Sequence, residues 1–374
     1  MVCVKERRVK GKKYLYVSVT VSVAGHKVRF EKEIGPADMP KKERERKVEF
    51  YKQLLQLKKD YCKILLLTKA ANLEYLPKQY AFFLTMISTQ YHKYLESLYP
   101  SELEKYRQVF EVRYVHNTTA LEGNTLTLME TGMVLDEGMA PRSKKLREIH
   151  EVENYKRVLK FIRNYNKDLS LDFILKVHEF IQRNIDDETA GMFRRAQIFI
   201  KGSKWEPPPA EVVDIEMDEL LKWYNENKKR LHPFELAGLL HHKFLQIHPF
   251  IDGNGRVGRE IMNFILHRNG FPLLIIPAES RQEYMERMAE ADDGDLRSLL
   301  EFFVKVLIKD YYTVVMDFFG KAHAEIAADF EDLNPEELSE LQEYVNWVAR
   351  ETRVVVGSPA IKGFDVTKVL AGGK

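Results

Sequence analysis

The feature that most restricts the fold of this chain is a glycine-rich turn. The residues before this turn have the pattern of a helix and not that of a strand. Gly253, Gly255 and Gly258 have the spacing of a dinucleotide-binding loop, which requires a preceding strand within a βαβ unit. The apolar residues of 233–247 instead recur at helical spacing. A Rossmann fold is therefore not indicated. An EF-hand is excluded as well, because Asn263 stands where such a loop needs a bidentate glutamate.

Helical periodicity extends from about 76 to 308 and predicts a mainly α fold. The predicted segments are 104–121, 146–165, 171–185, 233–247 and 257–268, the last ended by Asn269 and Gly270. One stretch departs from this pattern, because residues 195–201 are β-prone, Gly202 and Ser203 can turn, and prolines occupy 207–209. We expect a small β-hairpin there, between two helices.

The N-terminal region has a different pattern. Polar and apolar residues alternate over 14–23 and again over 26–34, and the intervening Ala24 and Gly25 can turn, which predicts a β-hairpin. Residues 40–67 are rich in Lys, Glu and Leu and predict a long charged helix. Before them lies a run of basic residues: Lys5, Arg7, Arg8, Lys10, Lys12 and Lys13. No aromatic-basic recognition motif accompanies this run, so a solvated strand edge or tail is favoured over a nucleic-acid-binding arm.

The bulk composition is that of a folded protein without a strong charge preference. Of 374 residues, 45% are hydrophobic and 30% charged, and the formal net charge is +2, so no general attraction to nucleic acid or an anionic membrane is indicated. Cys3 and Cys62 are too few for a disulfide framework. No apolar run approaches the roughly 20 residues of a membrane span, and the charged first residues lack a signal region. We expect a soluble, cytoplasmic protein.

The glycine turn has the properties of an anion site. It leads into a helix at about Arg256, where backbone N–H groups and the positive end of the helix dipole attract phosphate. Arg256 and Arg259 are three residues apart, and guanidinium groups match phosphate oxygens. Asp252 is a hard carboxylate beside this site, as expected of a Mg²⁺ ligand. His248 is the one base in the loop that titrates near neutrality.

Together these residues predict phosphoryl chemistry at one loop. The glycines and arginines would hold a triphosphate, and Asp252 would hold Mg²⁺, which neutralises charge on a leaving pyrophosphate. His248 would accept the proton of a hydroxyl that attacks phosphorus. The whole segment reads His248-Pro-Phe-Ile-Asp-Gly-Asn-Gly-Arg-Val-Gly-Arg259.

This segment resembles the Fic motif, H-x-F-x-[D/E]-G-N-G-R-x-x-R, at every defined position. The resemblance implies transfer of AMP from ATP to a Ser, Thr or Tyr hydroxyl of a protein, this chain included. It implies His248 as the base, Asp252 as the Mg²⁺ ligand, and the next three residues as the anion pocket. The implied phosphate-binding residues are Gly253, Asn254, Gly255, Arg256 and Arg259.

A second segment resembles the inhibitory motif of the same family, [S/T]-x-x-x-E-[G/N]. Thr118, Glu122 and Gly123 occupy its defined positions, at the end of a helix predicted over about 105–124. The resemblance implies that Glu122 pairs with Arg259 and keeps its guanidinium from the γ-phosphate. In some relatives the same glutamate aligns a water for removal of AMP. The sequence does not separate inhibition from this reverse, deAMPylating use.

Two further regions take their meaning from the resemblance. Gln197, Ile198, Phe199 and Ile200 resemble the family's flap, whose strand edge would pair with an extended target segment. Tyr284 and Asp292 lie where relatives supply adenine contacts. Relatives often carry Asn at the position of Asp292 and an aromatic residue at that of Met285, so ATP is the default and other nucleotides stay open.

The resemblance defines a domain over 76–310, flanked by the hairpin and charged helix of 1–75 and by a helical extension over 311–374. Asn334 and Pro335 mark a helix start in that extension. Relatives of this type are often dimers, which makes a homodimer an expectation of the resemblance alone. The alternative class is a nucleotide-sensing regulatory protein whose two ends bind a partner or DNA.

Overall fold

The computed structural model describes residues 2–200, 204–311 and 335–356. These residues form two compact units. The first comprises the described residues within 1–72, 77–90 and 311–374, and the second comprises 73–76 and 91–310. No helix in the described ranges combines the length and the apolar character that a membrane crossing requires.

The first unit is built on a three-stranded antiparallel sheet in the order β1 (Cys3–Val9), β2 (Lys12–Val23) and β3 (His26–Pro36). Both connecting turns have two residues with positive φ, the conformation that matches the twist of two-residue hairpins. The β2–β3 hairpin confirms the alternation in the sequence. The first strand was not predicted, because every residue of β1 is exposed and its side chains show no alternation.

Cross-strand pairs hold β1 on the sheet. Arg7 donates two hydrogen bonds of 2.7 Å to Glu31 and lies 5.0 Å from the centre of the Tyr16 ring. Lys13 pairs with Glu6. Part of the basic run is therefore neutralised by acidic partners. The solvated strand edge expected from the sequence is the arrangement found.

One face of the sheet packs on two helices, α1 (Lys41–Ala70) and α12 (Pro335–Val356). The inward-facing residues of β2 and one stripe of α1 form the core, and Leu341 of α12 belongs to the same cluster. The long charged helix expected over 40–67 is thus confirmed. The sequence predicts a helix start at Asn334 and Pro335. Asn334 lies outside the described residues, and α12 is described from Pro335 onwards.

The other α-helices within the described ranges are α2 (Gln79–Ser97), α3 (Pro100–Ala120), α4 (Leu128–Gly132), α5 (Leu146–Asn164), α6 (Leu171–Gln182), α7 (Val213–Asn227), α8 (Pro233–Ile247), α9 (Asn254–Arg268), α10 (Arg281–Asp292) and α11, which is described over 296–311. Residues up to 90 of α2 belong to the first unit. A π-helical turn, Met133–Glu137, follows α4 directly.

Local signals in the sequence set most of these boundaries. Ser170 caps α6 by accepting from the Phe173 amide, and Pro233 opens α8, whose N-cap is His232. The helices α5 and α8 begin where the sequence predicts. The last predicted helix begins earlier than expected, at Asn254, because Gly253 with φ 85° already starts its first turn.

The helices α8 and α9 form the centre of the second unit and are almost entirely buried. A buried carboxylate fixes the start of α8: Glu235 accepts backbone hydrogen bonds of 3.0, 2.9 and 2.8 Å from three successive residues, Glu74, Tyr75 and Leu76. Because each of these amides finds a partner, the irregular segment before α2 can lie against α8 without unsatisfied donors.

The predicted hairpin between α6 and α7 is wrong for the residues described, since neither 195–200 nor 204–209 forms a strand. Lys201, Gly202 and Ser203 of the predicted turn lie outside the described residues. Prolines 207–209 have no N–H for a ladder, and side chains bind the backbone carbonyls instead. The guanidinium of Arg194 donates to Ala196 and Pro208, and the amide of Gln197 donates to Pro207 at 3.1 Å.

Candidate active site

The loop between α8 and α9 begins at a strained residue. His248 is the C-cap of α8, with φ 49° and ψ 59°, a left-handed conformation that is uncommon for a non-glycine residue. Its amide donates to the Phe244 carbonyl at 3.1 Å. Strain of this kind persists only where the surroundings impose it.

Three side chains impose that geometry. The amide group of Asn254 donates to the Phe250 carbonyl at 2.8 Å and accepts from the Phe250 amide at 2.9 Å, which closes the loop on itself. The Arg194 side chain donates to the His248 carbonyl at 2.9 Å. The ring of His178 stacks on Phe250 with 3.7 Å between centroids. The loop is thus held from within and from both sides.

His178 also binds the loop backbone. Its Nε2 contacts the Asp252 carbonyl at 3.0 Å, and since a carbonyl can only accept, Nε2 carries the proton. Burial lowers the pKa of His178 to about 4, so the ring stays neutral and its Nδ1 can accept from the Gly191 amide at 3.0 Å.

The tautomer of His248 leaves one ring nitrogen free. Nδ1 lies 3.2 Å from the Leu245 carbonyl and must be the donor in that contact. Nε2 then keeps its lone pair, and among the described residues nothing is hydrogen-bonded to it. Burial is the main cause that lowers the pKa of His248, with Arg194 adding to it against the raising effects of Leu245, Glu122 and Asp252. The imidazole is therefore in its basic form at neutral pH.

A cavity of about 330 Å³ opens above the first turn of α9. Five predicted loop residues line it, namely His248, Asp252, Gly253, Asn254 and Gly255, and Arg259 lies at its inner wall. The further lining residues are Leu121, Glu122, Phe199, Ile200, Trp205, Leu245, Ile251, Arg281, Tyr284, Met285, Met288, Ala289 and Asp292. Backbone N–H groups at the start of a helix face this space, which suits an anion.

A carboxylate already occupies the anion site. A Cβ added to Gly255 would collide with the Glu122 carboxylate and would also lie 3.1 Å from Nη1 of Arg259. Glycine is thus needed at this position for the close approach of Glu122 to the backbone. The Glu122 side chain is 38% exposed and projects over the first turn of α9, where a phosphate would otherwise bind.

The same carboxylate pairs with Arg259. Nη2 of Arg259 donates to Glu122 at 2.7 Å and to the Thr118 carbonyl at 2.9 Å, and Nε donates to the Thr118 hydroxyl at 2.8 Å. Burial alone would raise the pKa of Glu122, but the guanidinium groups of Arg259 and Arg256 lower it below its usual value. The pair is therefore ionised, and Arg259 itself is only 3% exposed. Gly123 follows with φ 98°, a conformation that favours glycine.

Asp252 has an arginine partner that the sequence did not predict. Arg147, from the first turn of α5, donates to Asp252 at 2.5 Å. Burial would raise the pKa of Asp252, but Arg256, the Gly253 amide and Arg147 together lower it, so the carboxylate is ionised. One ionised carboxylate on the cavity wall fits Mg²⁺, which commonly takes one or two protein carboxylates with phosphate and water completing its shell.

Arg256 does not line the cavity. It is buried, and its guanidinium lies 3.4 Å from Asp252 and 3.8 Å from Glu151. Two of its nitrogens, Nε and Nη1, have no hydrogen-bond partner within the described ranges. In this arrangement Arg256 orients Asp252, and its contact with a phosphate stays a prediction.

Tyr284 and Asp292 also line the cavity, and each contacts a buried histidine of α8. The Tyr284 hydroxyl contacts Nε2 of His241 at 2.7 Å, and Asp292 contacts Nε2 of His242 at 2.9 Å. Burial raises the pKa of Tyr284 to about 12. His241 and His242 thus contact different side chains. The described residues contain no cluster of three or more His, Cys, Asp or Glu side chains that could hold a metal ion.

Only part of the segment predicted as a flap lines the cavity. Phe199, which is 81% exposed, and Ile200 line the cavity, whereas Gln197 and Ile198 do not. Trp205 completes this side, with its indole N–H donating to the Gln246 carbonyl at 2.9 Å.

A known protein family matches the part of the chain that contains the loop between α8 and α9. The sequence profile of the Fic/DOC family matches residues 168–266. The curated protein adenylyltransferase fic-1 of Caenorhabditis briggsae is 36% identical over 198 residues, which are 51% of this chain and 39% of that protein. The chain therefore spans about two-fifths of the length of the curated relatives it matches.

Solved structures share the same fold. Residues 134–508 of Fic-1 from C. elegans superpose with a TM-score of 0.55 and 30% identity, covering 62% of this chain and 70% of that one. A Fic domain-containing signaling protein from Bacteroides thetaiotaomicron superposes with a TM-score of 0.56 and 27% identity, covering 62% and 96%.

Proposed function

The chain belongs to the Fic/DOC family, and from that premise we propose that it transfers AMP from ATP to a Ser, Thr or Tyr hydroxyl of a protein. One observation carries the proposal. His248, Asp252, the first turn of α9 and Arg259 all line one cavity of about 330 Å³. A base, an anion site and a metal ligand are the groups that attack of a hydroxyl on phosphorus requires.

The reaction has one bond made and one broken. The target hydroxyl oxygen attacks the α-phosphorus of ATP, its proton passes to Nε2 of His248, and the bond from the α-phosphorus to pyrophosphate breaks. A positioned general base of this kind contributes about 10²–10⁴ in rate. The lowered pKa of His248 keeps the ring ready to accept that proton at neutral pH.

The phosphates would lie on the backbone N–H groups of Gly253, Asn254 and Gly255. Asp252 would hold Mg²⁺, which supplies neutralisation of the charge that develops on pyrophosphate. Because Arg147 now pairs with Asp252, binding of the ion would exchange this contact for one with the metal.

We further propose that the enzyme is autoinhibited. A γ-phosphate on Arg259 and the Glu122 carboxylate would compete for the same guanidinium, and Glu122 also occupies the space above Gly255. ATP could then bind only weakly or in an unproductive pose, because two anionic groups would share one site.

DeAMPylation at the same site is a second candidate, favoured by the position of Glu122. Its carboxylate lines the cavity together with His248 and could orient a water towards an AMP-modified side chain. Incubation of an AMP-modified substrate with the wild-type chain separates the two uses: loss of AMP that Glu122→Gly abolishes supports the reverse reaction.

Mass spectrometry of the Glu122→Gly chain after incubation with Mg²⁺ and ATP tests the proposed activity. We expect an added AMP on a Ser, Thr or Tyr side chain, and less of it on the wild-type chain. Addition of a phosphate alone, or of AMP on a chain that also carries His248→Ala, would contradict the assignment. Transfer to the chain itself gives a readout without a known target.

A further inference from the structure

A second cavity, of about 200 Å³, lies beside α9 and shares no lining residue with the cavity that contains His248. Its walls come from the end of α2 and from α3, α5 and α9, and they are mainly apolar. Its aromatic lining includes Tyr106 and Phe110 of α3 and Phe264 of α9. A similar apolar cavity of about 150 Å³ is large enough to hold benzene.

One buried acid lies in the wall of this cavity. Glu260 is 2% exposed, and its Oε1 accepts a hydrogen bond of 2.5 Å from the Tyr114 hydroxyl. No other hydrogen bond or ion pair of this carboxylate is found in the part of the chain that the structure describes. A carboxylate so far removed from water is stabilised by each hydrogen bond that it accepts, and a ligand in this cavity that donates one to Glu260 would be favoured.

The aromatic part of the lining favours a ligand with an apolar, aromatic body. The rings of Tyr106 and Phe110 stack with 5.4 Å between centroids, and aromatic faces attract ammonium groups. The other acidic residue at this cavity, Glu111, already forms an ion pair with Arg163. Glu260 is therefore the acidic side chain of this cavity for which the described residues show no ion pair.

We propose that this cavity binds a small amine with an aromatic body, whose ammonium group donates to Glu260, and that the bound amine strengthens autoinhibition. The second half of this proposal rests on the proposed function. The amine would touch both α3 and α9.

The link to the active site runs along these two helices. On α3, Tyr114 lies one turn before Thr118, which binds Arg259; on α9, Glu260 follows Arg259 directly. A ligand that contacts both helices gains its full set of contacts only when α3 lies against α9 as it does here. Such a ligand favours the state in which Glu122 and Arg259 pair.

Binding should depend on pH. Burial raises the pKa of Glu260 to about 7, against the lowering effects of Tyr114 and Arg259. The carboxylate therefore gains its charge as the pH rises through 7, and an ammonium group should bind more tightly above that value. The titratable and charged groups around Glu260 are Tyr91 of α2, Tyr106, Arg107, Glu111 and Tyr114 of α3, Tyr155 and Arg163 of α5, and Arg259 and His267 of α9.

Ligand-observed NMR with benzylamine and the full chain tests binding. We expect benzylamine to bind at least about tenfold more tightly at pH 8 than neutral benzyl alcohol, and Glu260→Gln to lose about tenfold. Glu111→Gln is the matched control, since it removes a carboxylate that already pairs with Arg163, and it should change affinity less than about threefold. Equal binding of amine and alcohol, or an unchanged affinity in Glu260→Gln, overturns the site.

Transfer of AMP tests the regulatory half. Saturating benzylamine should lower incorporation of AMP into the wild-type chain several-fold and leave Glu122→Gly unchanged. Equal inhibition of both chains, or of neither, overturns the link to α3. If benzylamine binds as described but no variant incorporates AMP, the proposed function fails and the binding site stands.

Discussion

Replacing Glu122 by glycine should activate the enzyme by an amount that follows from the contact it removes. In the wild-type chain the Glu122 carboxylate accepts a 2.7 Å hydrogen bond from Arg259, a guanidinium that is only 3% exposed. A hydrogen bond between charged groups contributes about 1.5–3 kcal/mol. Because the Glu122 side chain is 38% exposed, solvent screens the pair, and the lower half of that range applies.

This energy converts into a rate. In the proposed autoinhibited state, ATP would displace the carboxylate before its γ-phosphate reached Arg259. The pairing energy of about 1.5–2 kcal/mol would then raise the barrier that starts from free ATP by the same amount. The variant should therefore show kcat/KM for ATP about 10–30 times that of the wild-type chain. Glycine at 122 also clears the space above Gly255, which would add to the gain.

The assay is incorporation of label from ATP into the chain itself under single-turnover conditions with Mg²⁺. Glu188→Gly is the matched control, because Glu188 is an exposed glutamate in a turn that does not line the cavity, and it should stay within about twofold of wild type. Equal rates for Glu122→Gly and wild type would refute the autoinhibitory role of the pair. Equal gains in both variants would show that a general loosening, and not the contact with Arg259, raises the rate.

Further predictions concern the loop itself. His248→Ala in the Glu122→Gly background should reduce the rate of AMP transfer by at least about 10²-fold, while nucleotide binding, measured by calorimetry, changes little. A rate equal to that of Glu122→Gly would show that His248 is not the base. The pKa of His248 is lowered, so the basic form of the ring persists below the ordinary histidine pKa of about 6.5. The rate of AMP transfer by Glu122→Gly should therefore stay level from about pH 8 to 6.5 and fall only in more acidic buffer. A pH profile with its midpoint above about 7 would contradict the lowered pKa. Asn254→Ala leaves the buried Phe250 N–H and C=O without partners and should lower the free energy of unfolding by about 2–4 kcal/mol in urea titrations. Asn225→Ala, at an exposed position, serves as the control. If Asn254→Ala lowers the free energy of unfolding no more than this control, the role of Asn254 in closing the loop is contradicted.

The sequence predicted those parts of the fold and the site that depend on local patterns. The boundaries of α5 and α8 follow from periodicity and from Pro233, and the twelve-residue motif from His248 to Arg259 identifies the loop. The glycine turn correctly indicated the N-terminus of a helix, because the preceding residues lacked a strand pattern. The pair of Glu122 with Arg259 was expected from the family motif, and the two side chains lie 2.7 Å apart.

Contacts between distant segments could not be predicted in this way. Arg147 pairs with Asp252 across 105 positions of the chain, and nothing around Arg147 in the sequence marks it as a site residue. The hairpin expected at 195–209 was wrong because β propensity competes with tertiary contacts, and Arg194 binds the carbonyls that a ladder would have used. The strand β1 escaped detection because its side chains are all exposed, so burial left no alternation in the sequence.

The most direct test of the central claim uses ATP labelled at different phosphates. The Glu122→Gly chain is incubated with Mg²⁺ and ATP that carries the label either at the α-phosphate or at the γ-phosphate, and the protein is then separated and counted. If the loop transfers AMP, the α label stays with the protein and the γ label leaves with pyrophosphate. Retention of the γ label, or of neither, would contradict the assignment of this cavity as an adenylyl-transfer site.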